Sequence, residues 1–306
     1  MEYRSFADLS QAINLNLHKI PTDVDLIVGV PRSGLLAGNM IALLLNIPLI
    51  DLDSYTNNDR LRQSHDMSIA YAKEAKHVLI VDDTCYSGKS MGHANSLIKG
   101  ASFNHKITSC VIYINPKSIK LVDIYFETLE SPGCQEWNFM HRDKVGQFCV
   151  DIDGVLCKDP TKQEDDDGIA YLNFLKNATP LYLPSHKVGC LVTGRLEKYR
   201  KETEEWLKRY NIRYHKLHML DLPNAKIRWN LNAAPRFKAE IYKSYPHSRL
   251  FVESDQKEAM EISMLSEKEV LCFSNQRLVK RQLLGRIKYK FGKYYNRSKK
   301  KLRKIR

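Results

Sequence analysis

Apolar positions along this chain fall into short unbroken runs and helix-spaced sets, and the alternation of the two occurs twice. In the first half, Ser5 to His18 has the 3.6-residue spacing of an amphipathic helix, and Val24 to Val30 is an apolar run that reads as a strand. A turn at Pro31-Arg32-Ser33-Gly34 leads into a predicted helix over Leu35 to Leu45, and Pro48 opens a short strand. The polar stretch Asp51 to Ser68 reads as loop, Val78 to Val81 as a buried strand, Lys89 to Lys99 as a helix, and 107–114 and 121–126 as strands. Breakers cluster over Glu130 to Gln135, which marks a linker region. A second series follows: strands at Gln147 to Val150, Val188 to Val192, 213–219 and Arg249 to Val252, with helices over Leu196 to Tyr210, Phe237 to Tyr245 and Gln256 to Leu265. Such alternation predicts an α/β fold with two parallel-sheet domains, 1–140 and 141–276, followed by a tail, 277–306. The length of 306 residues agrees with a prior of roughly 150 residues per domain.

Charge separates that tail from the rest. The formal net charge is +13, yet residues 277–306 hold fourteen Lys or Arg and no acid, so the other 276 residues sum to −1. Any affinity for anionic partners therefore belongs to the tail. Tyr289, Phe291, Tyr294 and Tyr295 are interleaved with its cations, and the segment reads as helical. Three roles stay open for it: an anionic membrane surface, nucleic-acid phosphates, or a solubilising tail. Elsewhere, apolar stretches such as Leu35 to Pro48 fall short of the roughly 20 residues of a membrane span. The start, Met1-Glu2-Tyr3-Arg4, lacks the apolar core of a secretory signal. Seven cysteines, an odd number without a C-x-x-C pair, predict a reducing cytoplasmic setting, with peripheral membrane association left open by the tail.

Candidate chemistry sits at the ends of two predicted strands. The first is Val81-Asp82-Asp83-Thr84-Cys85-Tyr86-Ser87-Gly88-Lys89-Ser90. Small and hydroxylated residues there lead into a helix, whose first N–H groups and dipole favour a phosphate, while Asp82 and Asp83 can accept hydrogen bonds from sugar hydroxyls. Only the final Gly88-Lys89-Ser90 matches a nucleotide-binding loop of the G-x-x-x-x-G-K-S type. Cys85 reads either as a thiol activated by the helix start or as a small residue filling the loop. This segment resembles the phosphoribosyl pyrophosphate motif of type I phosphoribosyltransferases, and Gly29-Val30-Pro31-Arg32-Ser33-Gly34 resembles that family's pyrophosphate loop. The resemblance implies that Asp82 and Asp83 bind the ribose diol, Thr84 to Ser90 the 5-phosphate, and Arg32, Ser33 and Gly34 the pyrophosphate with Mg²⁺. It also implies a mobile hood near Ser54, Tyr55, Arg60 and Arg62. The acceptor is not legible, because nothing between Asn115 and Gln135 matches a base pocket.

The second signature is Asp151-Ile152-Asp153-Gly154-Val155-Leu156. Strand alternation sends Asp151 and Asp153 to one side, where one carboxylate can attack phosphorus and hold Mg²⁺ while the other handles protons. This segment resembles the first motif of haloacid dehalogenase (HAD) superfamily phosphatases. The likeness continues through Leu191-Val192-Thr193-Gly194-Arg195, Lys238, and Leu250-Phe251-Val252-Glu253-Ser254-Asp255. It implies Asp151 as nucleophile, Asp153 as general acid and base, Thr193 and Lys238 as phosphoryl stabilisers, and Asp151, Asp153, Glu253 and Asp255 as the Mg²⁺ set. Only 39 residues separate Asp153 from Thr193, too few for a large cap. The acidic run Glu164 to Asp167 reads as a solvated face or a helix start. Together the two signatures imply a bifunctional enzyme that joins phosphoribosyl transfer to phosphomonoester hydrolysis. A regulatory protein that senses phosphoribosyl pyrophosphate and binds nucleic acid, and a membrane-peripheral phosphatase, are the alternatives.

Overall fold

Runs without a polar break become the inner strands of two separate sheets. The computed structural model describes residues 2–57, 74–100, 105–130 and 133–279, and the chain divides into one unit over Glu2–Trp137 and a second from Asn138 onward. The first unit contains β1 (Tyr3–Arg4), α1 (Phe6–Asn16), β2 (Leu26–Gly29), α2 (Ser33–Leu45), β3 (Leu49–Asp51) and α3 (Leu52–Thr56). It continues with β4 (His77–Cys85), α4 (Lys89–Gly100), β5 (Lys106–Ile114), β6 (Ile124–Thr128) and β7 (Cys134–Gln135). Five strands form a parallel sheet in the order β3-β2-β4-β5-β6. Leu26, Val28, Ile80 and Val111 pack to one face with Tyr55 and Met91. Ile27, Leu79, Val81 and Ile112 pack to the other with Leu9, Ile13, Ala37 and Ile41. Burial on both faces is why these strands read as continuous apolar runs.

Several expectations about this unit need correction. Strand β4 runs through Asp82, Asp83, Thr84 and Cys85, pairing with β5 to the end, so the turn shrinks to Tyr86-Ser87-Gly88. Helix α2 starts at Ser33, which puts Gly34 in its first turn. The start of the expected loop is a helix: Asp51 caps α3 by accepting the Ser54 N–H at 2.9 Å. Tyr55 is not a hood residue, since it is fully buried and its hydroxyl meets His105 Nδ1 at 2.7 Å. Arg60 and Arg62 lie outside the described residues. Nor is 130–135 a linker throughout, because Cys134 and Gln135 form β7, which pairs in parallel with β1.

The second unit contains β8 (Phe148–Val150), α5 (Ile169–Asn177), β9 (Val188–Leu196), α6 (Arg200–Arg209), β10 (Tyr214–Leu220), α7 (Ala225–Leu231) and α8 (Ala233–Ser244). After these come β11 (Leu250–Glu253), α9 (Gln256–Ser266), β12 (Val270–Cys272) and β13 (Arg277–Val279). The sheet order is β10-β9-β8-β11-β12-β13, parallel except for β13, which pairs antiparallel with β12. Arg277–Val279, grouped by charge with the tail, is thus a strand of this sheet; residues 280–306 lie outside the described residues. The segment 154–187 carries α5 as its one described helix, with no sheet of its own. Among the described residues, no helix is long and apolar enough to cross a membrane.

Candidate functional site

Each sheet reverses its building direction once, between β2 and β4 in the first unit and between β8 and β11 in the second. Such a reversal opens a crevice at the C-terminal ends of the strands, where α/β sheets bind ligands. Both signatures occupy these places.

In the first unit, the Pro31–Gly34 segment follows β2 and lies against Asp82 at the end of β4. Val30 N–H donates to the Val81 carbonyl at 2.9 Å, and the Pro31–Arg32 peptide is cis. Gly34 is required by close approach: a Cβ there would lie 2.6 Å from the Val81 oxygen and 3.0 Å from Asp82 Cα. Asp82 and Asp83 are both buried. Burial, and then the neighbouring Asp83 carboxylate, push Asp82 up to about 7. Ionised Asp82 would thus be favoured by hydrogen bonds from sugar hydroxyls, or by a nearby cation. Tyr86, Ser87, Lys89 and Ser90 are exposed around a half-buried Gly88, and Arg32 is exposed as well. Ser118 Oγ donates to the Tyr86 carbonyl at 2.9 Å and Gly92 N–H to Gly88 O at 2.8 Å, so the loop leads into α4 as an anion site needs. Cys85 is buried and burial raises its thiol, which removes the activated-thiol reading.

Two residues near this site were not legible as site residues. Trp137 Nε1 donates to Asp83 Oδ2 at 2.9 Å, and Gln135 Nε2 approaches Thr84 Oγ1 at 3.4 Å. Both sit more than 50 positions from their partners, and the breaker-rich sequence around Gln135 suggested only a linker.

In the second unit, carboxylates from three segments converge on one ammonium. Lys238 of α8 is buried, and its Nζ donates to Asp151 Oδ2 at 2.7 Å, Glu253 Oε2 at 2.8 Å and Glu258 Oε2 at 2.8 Å. Burial alone would lower this lysine, but the three carboxylates hold it well above the ordinary range. Glu258, in the first turn of α9, was missed because a glutamate at a helix start reads as a dipole partner. Asp153 is held differently. Arg195, with no measurable exposure, donates Nε to Asp153 Oδ2 at 3.0 Å and Nη2 to Oδ1 at 2.6 Å. Burial pushes Asp153 up, yet Arg195 overrides it and keeps the carboxyl below its usual range. Gly154, at φ +73°, lets this turn pass Ser254, into which a Cβ would collide, and Ser254 Oγ donates to the Asp153 carbonyl at 3.2 Å.

The remaining expected residues are placed less directly. Thr193 is fully buried and its hydroxyl accepts the Arg195 N–H at 3.2 Å, a bond within the end of β9. Asp255 is exposed and caps α9, accepting the Lys257 and Glu258 N–H groups at 2.8 and 2.9 Å. The acidic run is not simply solvated: Asp165 pairs with Arg228, and Asp167 binds Lys198, Tyr199 and the Ala225 N–H.

Charge and donor type decide whether a divalent cation fits. Among the described residues, no three His, Cys, Asp or Glu form a ready cage, since Lys238 sits among the carboxylates. Burial, with Glu253 and Asp153 nearby, still pushes Asp151 well above its ordinary range despite Lys238. Asp159 is likewise raised, by burial and then by Asp153, with Asp255 and Glu258 contributing. Counted formally, the four carboxyls Asp151, Asp153, Glu253 and Glu258 face two cations, Lys238 and Arg195, so the cluster offers oxygen donors alone with acids in excess, which fits Mg²⁺.

Comparison with known proteins bears on the first unit. No curated protein matches the chain. Among solved structures, a purine phosphoribosyltransferase from Pyrococcus horikoshii Ot3 is similar at 21% identity and TM-score 0.34, covering 45% of this chain and 93% of its own. An orotate phosphoribosyltransferase from Aeropyrum pernix shares 19% identity at TM-score 0.29, covering 40% and 72%. A xanthine-guanine-hypoxanthine phosphoribosyltransferase from Helicobacter pylori shares 14% at TM-score 0.35, covering 44% and 90%. The family model described as "Phosphoribosyl transferase domain" matches residues 2–143.

Proposed function

We propose that the chain is a bifunctional enzyme: residues 1–140 transfer a phosphoribosyl group from phosphoribosyl pyrophosphate to an acceptor, and residues 141–276 hydrolyse a phosphomonoester through a phospho-aspartyl intermediate. In the first step, Asp82 and Asp83 accept hydrogen bonds from the ribose hydroxyls, while the Tyr86–Ser90 loop holds the 5-phosphate. Arg32 to Gly34 orient the departing pyrophosphate, so catalysis is mainly positioning and charge stabilisation.

In the second step, Asp151 attacks phosphorus and the P–O bond to the leaving group breaks; Asp153, which Arg195 holds ionised in the free site, takes up the proton of the incoming phosphomonoester monoanion and delivers it to the departing oxygen. Water then attacks the phospho-aspartate with Asp153 as base, which releases phosphate and restores Asp151. Lys238 compensates charge at Asp151, and Arg195 orients Asp153. Bound Mg²⁺, held by Asp151, Asp153, Glu253 and Asp255, would add charge neutralisation on the phosphoryl oxygens.

The observation that supports the phosphatase reading is the meeting of Asp151, Glu253 and Glu258 on Lys238, since these come from three separate segments. The test is chemical trapping. Borohydride reduction during turnover should convert Asp151, and no other carboxylate, to its reduced side chain. Absence of that modification while phosphate is being released would remove the phospho-aspartyl step.

A further inference from the structure

Helix α7 carries an exposed aromatic that the phosphatase reading leaves without a role. Trp229 is 54% exposed, whereas Trp206 is fully buried and Trp137 is half-buried. The ring is not a loose surface side chain. The Arg228 guanidinium lies over it, 5.5 Å from the ring centre. The same guanidinium donates Nη1 to the Gly194 carbonyl at 3.1 Å and Nη2 to both Asp165 oxygens at 3.2 and 3.1 Å.

Gly194 lies between Thr193 and Arg195, the residue that grips Asp153. Trp229 is therefore one guanidinium away from the end of β9, whose Arg195 grips Asp153. The start of α7 is also pinned, through Asp167 Oδ2 and the Ala225 N–H at 3.0 Å, and Asn224 caps the helix at the Ile227 N–H. An exposed flat apolar surface, tied through Arg228 to the backbone between Thr193 and Arg195, suits the planar part of a leaving group. Flat bases stack on aromatic side chains whatever their sequence of donors and acceptors.

We propose that Trp229 is the stacking platform for the base of a nucleoside 5′-monophosphate whose phosphate is bound at Asp151. This rests on the phosphatase reading of that site. It also fits the first unit, whose transfer to a heterocyclic acceptor would create a ribosyl 5-phosphate bearing a base.

The experiment uses the full chain with adenosine 5′-monophosphate and ribose 5-phosphate, which differ by the base. Phosphate release is compared for the wild type, W229A and W229F, and calorimetric binding is compared for D151N and D151N/W229A. The expected result is a wild-type preference for the nucleotide that falls about 5- to 150-fold in W229A and is largely kept in W229F. A wild type without preference, or equal losses on both compounds in W229A, would overturn the proposal. So would a preference that survives W229A but falls in N173A, since that places the base in the cleft of about 550 Å³ lined by Lys158, Asp159, Asn173 and Phe174. Failure of the underlying reading looks different: the nucleotide then binds D151N more tightly than D151N/W229A, but the wild type releases no phosphate.

Discussion

Lys238 is a single positive charge facing three carboxylates in a buried site, so removing it leaves like charges with no partner. Breaking a buried ion pair from one side costs about 3–5 kcal/mol, because the surviving charges stay desolvated. K238M is therefore expected to lower the melting temperature of the second unit and to abolish phosphate release. Adding E258Q should return part of that stability by removing one of the repelling charges, and a thermal-denaturation double-mutant cycle checks it. Strictly additive losses would mean that Glu258 does not share the lysine. Asp82 makes the opposite case, a buried acid that no cation pairs among the described residues. Its raised value, about 7 against an ordinary 3.8, means that the folded state binds a proton the unfolded state releases. That stabilisation is fully present below about pH 4 and is lost as pH rises through about 7. D82N should be more stable than the wild type at pH 7.5, by about 1–3 kcal/mol, and should flatten the loss of stability between those limits. Equal pH profiles in denaturant titrations would contradict the buried-acid account.

At the scale of elements, close approach of loop to strand decides the first site. A Cβ at Gly34 would press on the Val81 carbonyl and on Asp82 Cα, so G34A must move the start of α2 away from the end of β4. A displacement of that kind should weaken phosphoribosyl pyrophosphate binding roughly 10- to 100-fold by calorimetry while leaving phosphate release at Asp151 unchanged. Unaltered affinity would show that the two loops do not act together. The strands that carry chemistry were legible in the sequence because they are continuous apolar runs ending in acids, and continuity survives without tertiary information. Tyr55 was not, since the polar neighbours Asp53, Ser54 and Thr56 hide a five-residue helix whose buried tyrosine finds His105 some 50 positions later. Trp137, Gln135 and Glu258 were missed for the same reason: each is tied to its site by folding rather than by spacing. Strands β12 and β13 are three residues each, too short for a period to register. The cation tally that separated the tail also absorbed Arg277, although backbone pairing places it in the sheet.

At the scale of the whole molecule, each unit has its own sheet, its own core and its own reversal of strand order, and one signature stands at each reversal. Independent cores predict that a substitution in one site leaves the other site's chemistry intact. The central claim is that two phosphate chemistries reside in one chain and act in sequence. It is tested most directly by following pyrophosphate and phosphate release together, in one reaction containing phosphoribosyl pyrophosphate, Mg²⁺ and a screened set of acceptor bases. With a competent acceptor, the wild type should release pyrophosphate first and phosphate after a lag. D83N should lose pyrophosphate release, and D151N should keep it while losing phosphate release by about a thousandfold or more. Phosphate release by D151N at the wild-type rate would contradict the account.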